Sequence, residues 1–409
     1  MPLPNDEKIV SLANDLLAQF HKLFGPPPGF RPAHAKGLML RGTFRPARGA
    51  ASLTKAPHIM GESTPVTVRF SNSTGLPTIP DNSPDANPRG LAIRFNLAEH
   101  VHTDIVSHST DGFPARDGAE FLEFLKAAGA SGPEVPSPKP VERFLGSHPA
   151  ALRFVQTPRP FPSSLARETY FGVTAFHFTN AQGERKYGRY RIVPEAGNDY
   201  LSDEAVARLR ADYHYEELEH RVKQGPIRFK VLVQVAARGD VSDDATVHWP
   251  EDRELVELGT LELTGVLEDN LVQQKQIIFD PIPRVDGIEP SADPLLELRA
   301  AIYCSADENG EQRKPSERCA RNSFCGRHEL VETGDVILET AGVLIAGGGL
   351  YDLLTPRLPP NLASICSGNA RAERLVRELL RALGGALLAI GATLSTPIGF
   401  CGHRHRTPR

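Results

Sequence analysis

Two short runs, Pro65-Val66-Thr67-Val68-Arg69-Phe70 and Leu91-Ala92-Ile93-Arg94-Phe95, alternate with period two, and the stretch between them from Gly75 to Asn87 is crowded with Pro, Asn, Asp and Ser. That period belongs to strands, whose successive side chains face opposite ways, and it sets Arg69 and Arg94 on a definite face. Similar signals return at Gly172 to Phe178, Tyr187 to Val193, Arg228 to Val235 and Leu255 to Leu263, with a turn at Asn180-Ala181-Gln182-Gly183 joining the first pair. With three or four strands before residue 110, these give about the eight that an antiparallel barrel needs to close around a filled interior. The 35 glycines and 35 prolines also favour a loop-rich β body over a helical bundle.

Helices belong at the periphery. Asn5 is placed to cap one, with Asp6 and Glu7 near its positive end, and Ile9, Leu12, Leu16, Phe20 and Leu23 form an apolar stripe that Gly25-Pro26 ends. A second helical pattern opens at Gly118 after Arg116-Asp117, and the chain from there to about Pro162 is a Pro-punctuated excursion. Ser202 caps a helix expected to run through Tyr213, with a further helical stretch to about Val222. We divide the chain into an N-terminal helical arm (1–25), a barrel core (26–330) and an apolar or helical appendage (331–409). Within the appendage, 371–388 reads as an amphipathic helix. The uncharged stretch 382–400 has the length of a membrane span, but Gly384, Gly385, Gly391 and Pro397 weaken it, and a packed tail is the preferred expectation.

A net charge of −4 from nearly balanced acids and bases leaves no basic footprint for nucleic acid and points to a small-molecule partner. Five cysteines without CxxC spacing, among them Cys304, Cys319 and Cys325, read as reduced thiols and not as a disulfide framework or a metal site. The N-terminus lacks a basic region followed by an apolar one, so the expected compartment is the cytoplasm.

One histidine stands out, in Arg31-Pro32-Ala33-His34-Ala35-Lys36-Gly37. The rigid approach Phe24-Gly25-Pro26-Pro27-Pro28-Gly29-Phe30 sets it at the mouth of a strand. It is followed in order by Val68-Arg69-Phe70-Ser71, by Asp85-Ala86-Asn87-Pro88-Arg89-Gly90-Leu91-Ala92-Ile93-Arg94-Phe95, by Asp104-Ile105-Val106, and much later by Arg299-Ala300-Ala301-Ile302-Tyr303. From about Phe24 to about Tyr303 the chain resembles the catalase family, and within it the short, core-only branch of catalase-related haem peroxidases. The resemblance implies an α+β fold, a catalase-type antiparallel eight-stranded β-barrel with peripheral helices, carrying haem b and its iron. Core-only members further imply a homodimer.

It also implies roles. His34 is the distal residue that moves one proton between the two peroxide oxygens, a task suited to a side chain titrating near neutrality, and leaves a ferryl haem. Ser71 orients its ring. Tyr303 ligates the iron as phenolate, and Arg299, one helical turn earlier, donates to the phenolate oxygen. Arg31 and Arg69 hold the haem propionates. Val106 and Phe121 contact the macrocycle, although a phenylalanine at 121 suits a packed core equally well.

The chain departs from the family in three places. His108 stands where catalases place the asparagine of a Val-Gly-Asn-Asn-Thr-Pro stretch. An imidazole there, with one donor and a pH-dependent charge, is expected to weaken oxidation of a second hydrogen peroxide. After Tyr303, Asp307-Glu308-Asn309-Gly310 precede Arg313 where the family supplies further arginines. Val247-His248-Trp249-Pro250-Glu251-Asp252 has acids where the family's NADPH-contacting stretch has a histidine, so bound NADPH is not expected.

The expected function is a peroxidase reducing hydrogen peroxide or organic hydroperoxides, with weak or residual catalase activity, at the expense of a small-molecule electron donor. One rival is a hydroperoxide isomerase of allene oxide synthase type, disfavoured because Ala33 replaces the threonine those enzymes carry before the distal histidine. The other is a non-catalytic haem-binding barrel.

Overall fold

The computed structural model describes residues 6–25 and 29–308; the appendage, Asn5, Arg313, Cys319 and Cys325 lie outside the described residues. Eight antiparallel strands form a closed barrel: β1 (Gly37–Pro46), β2 (Thr64–Ser71), β3 (Gly90–Ala98), β4 (Val101–His108), β5 (Tyr170–Phe171), β6 (Arg185–Pro194), β7 (Ile227–Val235) and β8 (Leu255–Val266). The order is β7-β8-β1-β2-β3-β4-β5-β6, and pairing of β6 with β7, Phe229 opposite Pro194, closes the ring and removes the sheet's open edges. Alternation then sorts the side chains. Leu38, Leu40, Val68, Phe70, Leu91 and Ile93 point into one apolar core with Phe229, Val231, Leu261 and Leu263 from across the ring. A fully buried side chain of this size contributes about 1.5–3 kcal/mol.

The expected strand from Gly172 to Phe178 is corrected. The barrel strand is β5, which bridges β4 and β6 through His108–Phe171 and Tyr170–Ile192 pairs; the chain then leaves and returns as Phe176–Thr179 alongside Gly188 of β6. The expected helix from Ser202 to Tyr213 is also corrected. Ser202 caps only Asp203–Val206, because the carbonyls of Leu209 and Ala211 are drawn into other bonds, the latter to the Asp81 amide at 2.7 Å and Lys36 Nζ at 3.2 Å. Helix resumes as Tyr213–Gln224.

Four helices matter for the site: α1 (Glu7–Phe24), α2 (Gly118–Gly129), α3 (Asn270–Gln276) and α4 (Pro294–Glu308). Asp6 is the cap of α1, accepting from the Lys8 amide at 2.8 Å; Gly25 ends the helix in the left-handed region at φ 51°. Its apolar stripe, Ile9, Leu12, Ala13 and Leu16, packs against Leu122 of α2 and Leu298 and Ala301 of α4. The arm thereby backs the helix that carries Tyr303. Among the described residues no helix is long and apolar enough to cross a membrane.

Candidate active site

Cross-strand register builds one wall of the site. Gly37, Ser71, Gly90, His108 and Phe171 are successive partners from β1 to β5, and Met39, Arg69, Ala92 and Val106 form the parallel row two residues further along. Their chain neighbours Leu38, Phe70 and Leu91 fill the barrel core, so these rows face outward. His34 sits just before β1 with φ 55°, a backbone conformation costly for a residue with a Cβ, held by its amide on Ser73 O at 3.1 Å and the next amide on Thr74 O at 2.9 Å. That turn swings the imidazole over the Ser71–Gly90 row, where Nδ1 meets Ser71 Oγ at 3.1 Å. Gly90 is needed there because a Cβ would lie 2.4 Å from Ser71 Oγ and 2.9 Å from His34 Nδ1.

Burial pushes His34 down to about 4, with the positive charges of Arg69, Arg299 and Arg31 acting the same way against a backbone hydrogen bond with Asn72. The ring is therefore neutral at ordinary pH, and the contact of Nδ1 with Ser71 leaves Nε2 as its outer nitrogen. Burial, with Arg299, His34 and Arg159, pushes His108 down to about 3. This corrects the expected pH-dependent charge: His108 is uncharged throughout the working range. Its Nδ1 accepts from the Thr110 amide at 3.4 Å, which puts the remaining proton on Nε2 as a donor.

Arg31 and Arg69 both bond to the end of α3. Arg69 Nε bonds Gln274 Oε1 at 2.9 Å and its Nη2 bonds the carbonyls of His34 (2.8 Å) and Ala35 (3.2 Å); Arg31 donates to the carbonyls of Gln274 (3.2 Å) and Ile277. Among the described residues neither meets a carboxylate. Burial, then the charge of Arg69, lowers Arg31 well below its usual range, and burial takes Arg69 down to about 10. Two cations, Arg69 buried and Arg31 half-buried, held only by neutral acceptors, are a fitting cradle for an anion of fixed shape such as a pair of propionates.

The opposite wall is α4, whose start is fixed by Asp293 accepting from the Leu295 amide at 2.9 Å. Arg299 and Tyr303 lie one turn apart on it. The charge of Arg299 acts on both His34 and His108, and that of Tyr303 on Arg31, so residues far apart in sequence share one electrostatic site. Among the described residues Arg299 makes no hydrogen bond or ion pair. Val106 is half-buried on the outward row. Phe121 sits in the helical cluster, its ring 4.9 Å from Phe113 and 6.4 Å from Phe20.

Beneath His34 lies a network that the sequence motifs did not assign to the site. Arg89 is wholly buried and donates to Asn72 Oδ1 and the Asp81 carbonyl, each at 2.6 Å, while the Asp81 carboxylate takes Asn72 Nδ2 at 2.9 Å and Lys36 Nζ at 2.8 Å. Arg89 and Lys36 stood inside quoted motifs; Gln274 gave no local signal. At the third departure, Glu251 is engaged by Arg191 at 2.7 Å, and Arg189 stacks on Trp249 at 4.4 Å.

The family model for catalase matches residues 27–310. The chain belongs to the catalase family. It is 34% identical over 285 residues to a catalase-related peroxidase of Mycolicibacterium paratuberculosis, covering 69% of this chain and 89% of that protein. It is 31% identical over 295 residues to a catalase-related peroxidase of Synechococcus elongatus, covering 71% and 86%. A solved bacterial catalase superposes with a TM-score of 0.61 at 26% identity, over 77% of this chain and 63% of that one. A fungal catalase at 24% identity supports the fold, with a TM-score of 0.62 over 74% of this chain and 62% of its own. The chain thus spans a little under two thirds of these full-length structures but most of the short peroxidases. Membership in this family implies a haem cofactor.

Proposed function

We propose that this catalase-family protein is a haem b peroxidase that reduces hydrogen peroxide or organic hydroperoxides with electrons from a small-molecule donor, and that its catalase activity is weak. The observation that carries the proposal is the neutral, serine-held His34 beside the buried Arg69 and the half-buried Arg31 and Arg299, none of which meets a carboxylate among the described residues. Arg31 and Arg69 would hold the two propionates, Tyr303 would ligate the iron as phenolate, and Arg299 would stabilise that phenolate. Val106 and Phe121 would wall the macrocycle. When bound, the haem supplies the two electrons that split the peroxide O–O bond.

The protein's own part is proton management. His34 Nε2 takes the proton from one peroxide oxygen and returns it to the other, and Ser71 Oγ at Nδ1 keeps the ring in register during the transfer. A histidine titrating near 4 is a weak base that releases its proton readily, which suits a shuttle and not a store. His108 Nε2 donates one hydrogen bond to the bound peroxide. An asparagine amide offers two donors and an acceptor, so the grip on a second hydrogen peroxide, which catalase action needs, is poorer here. Ala33 puts no hydroxyl beside His34, so among the described residues Ser71 is what restrains the ring.

Two measurements test this. Protein reconstituted with haem should show a tyrosinate-type ferric spectrum that changes on adding peroxide and recovers with a reducing dye. The ratio of dioxygen release to dye oxidation should be low and rise about tenfold in His108→Asn. A spectrum indifferent to peroxide would overturn the peroxidase proposal. A wild-type dioxygen yield far above dye oxidation would overturn the assignment of His108.

A further inference from the structure

Beside His108, on the side away from His34, a cavity of about 130 Å³ runs in from the surface. Its inner end is formed by Ser109, which follows His108 in the chain, and Phe171, which pairs with His108 across β4 and β5. Its outer end carries Asn198 and the exposed Tyr200. Between them stand two charged groups that the mechanism above does not use. Arg159 stacks on Phe154 at 4.4 Å and donates once, to the Phe154 carbonyl at 2.7 Å; its Nε is buried without a partner, and among the described residues it pairs with no carboxylate. Its charge reaches His108. Glu168 is 6% exposed, and its Oε1 accepts from the Thr169 amide and from the Tyr200 phenol, both at 2.9 Å, while among the described residues Oε2 makes no hydrogen bond.

We propose that this cavity binds the reducing substrate of the peroxidase, and that the substrate is a single-ring phenol bearing a carboxylate. The inference rests on the peroxidase proposal and names the donor class for it. The volume is close to the about 150 Å³ that holds benzene, and because the cavity opens to the surface the ring's substituents can extend toward its mouth. Phe171 and the flanking Pro158 and Pro160 offer ring and aliphatic faces, and Arg159 offers an unpaired cation to the carboxylate. Glu168 already binds a phenolic hydroxyl, that of Tyr200, and has a second oxygen for another.

The reaction balances as ROOH + 2 ArOH → ROH + H2O + 2 ArO•. Each phenol gives up one electron toward peroxide reduction, which a bound haem would relay, and its O–H proton to Glu168 Oε2, and the two protons and two electrons end in the alcohol and water. Burial pushes Glu168 up to about 7 against the hydrogen bonds from Tyr200 and Thr169 and the charge of Arg89. That makes it a competent base near neutrality, with Tyr170 and Arg159 the other ionisable groups around it.

Holoenzyme is titrated calorimetrically with benzoate, which binds without being oxidised, and assayed with 4-hydroxybenzoate, phenol and the outer-sphere reductant ferrocyanide. Wild type should bind benzoate and prefer 4-hydroxybenzoate to phenol about tenfold in kcat/KM. Arg159→Gln should weaken benzoate about tenfold and bring that preference near unity. Glu168→Gln, which keeps an acceptor for Tyr200, should lower kcat for both phenols about tenfold with KM changed less than twofold, and remove the rise of rate with pH around 7. Asn198→Trp, at the exposed mouth where it gives up only the surface hydrogen bond from the Thr169 hydroxyl, should raise KM for both phenols several-fold. Equal benzoate affinity in wild type and Arg159→Gln, or a KM untouched by Asn198→Trp, overturns the cavity proposal. A wild type that binds benzoate but turns over peroxide with no donor, ferrocyanide included, supports the cavity and overturns the peroxidase proposal instead.

Discussion

Arg89 and Arg69 lie at the ends of neighbouring strands, both buried, yet their charges are handled in opposite ways. Arg89 belongs to a network that contains an anion: it donates to Asn72 Oδ1 and the Asp81 carbonyl, while the fully buried Asp81 carboxylate, held by Lys36, Asn72 and the His214 amide, acts on it by charge alone, and among the described residues Arg89 Nε has no partner. Arg69, with Arg31 beside it, has only carbonyls and an amide. A chain under selection for stability alone has no reason to bury Arg69 beside a second cation without an anion. The first cluster is therefore a foundation for the loop that presents His34. The second is a socket whose countercharge arrives with the ligand.

The comparison is broken most directly at Asp81. Asp81→Ala removes the buried anion of the network, leaving Arg89 without a nearby countercharge and Lys36 with only the exposed Asp212, and the expected loss is about 3–5 kcal/mol of unfolding free energy in the haem-free protein, read from denaturant midpoints. A loss no larger than that of a socket arginine would make the two clusters equivalent and remove the distinction.

Arg69→Met sharpens it from the other side. Haem-free protein should be no less stable than wild type, because an uncompensated charge has been removed, whereas haem affinity should fall about 100-fold, or about 2.7 kcal/mol. His34 gives a second readout. Its folded value near 4 lies below the unfolded one, so the unfolded chain binds more protons between about pH 6.5 and 4 and stability falls as pH drops through that window. Removing Arg69, the largest of the charges depressing it, should raise the His34 value and move the acid limb of peroxide reduction to higher pH. A stability loss in the haem-free variant with haem affinity intact would mean that Arg69 is structural.

How much of this could be read from the chain follows from where each contact is specified. Ser71, Arg69, His108 and Val106 fall on one face because strand periodicity is local, and a period-two pattern carries the face of every residue with it. The barrel followed from counting such runs, though β5 is only two residues long and its signal was captured by the apolar stretch after it. The break between Val206 and Tyr213 was not legible, since Ser202 and the residues after it satisfy every local rule for a helix; what overrides them is Asp81 and Lys36 taking the Ala211 carbonyl from over a hundred residues away. Gln274 was hidden for the same reason. Nothing near it shows that its side chain will join Arg69 to the Gly37 carbonyl.

The smallest expected effect is at the boundary between the two clusters. Ser71 ends β2, with Asn72 of the charge network on one side and Arg69 of the socket two residues back, and its hydroxyl is the contact that passes the rigidity of the first to the imidazole of the second. Ser71→Ala removes one hydrogen bond to a neutral ring and leaves a small, undistorted side chain, so the loss is about 1 kcal/mol, or about fivefold in kcat/KM for peroxide. Because the ring loses orientation and not basicity, the acid limb should stay where it is, unlike in Arg69→Met. The two variants thus separate the two properties the wall confers on His34: its position, set by Ser71 and the network behind it, and its neutrality, set by burial and the arginines in front. A shift of the acid limb in Ser71→Ala as large as that in Arg69→Met would show that the serine tunes the charge of the ring, and that the foundation and the socket are not separable.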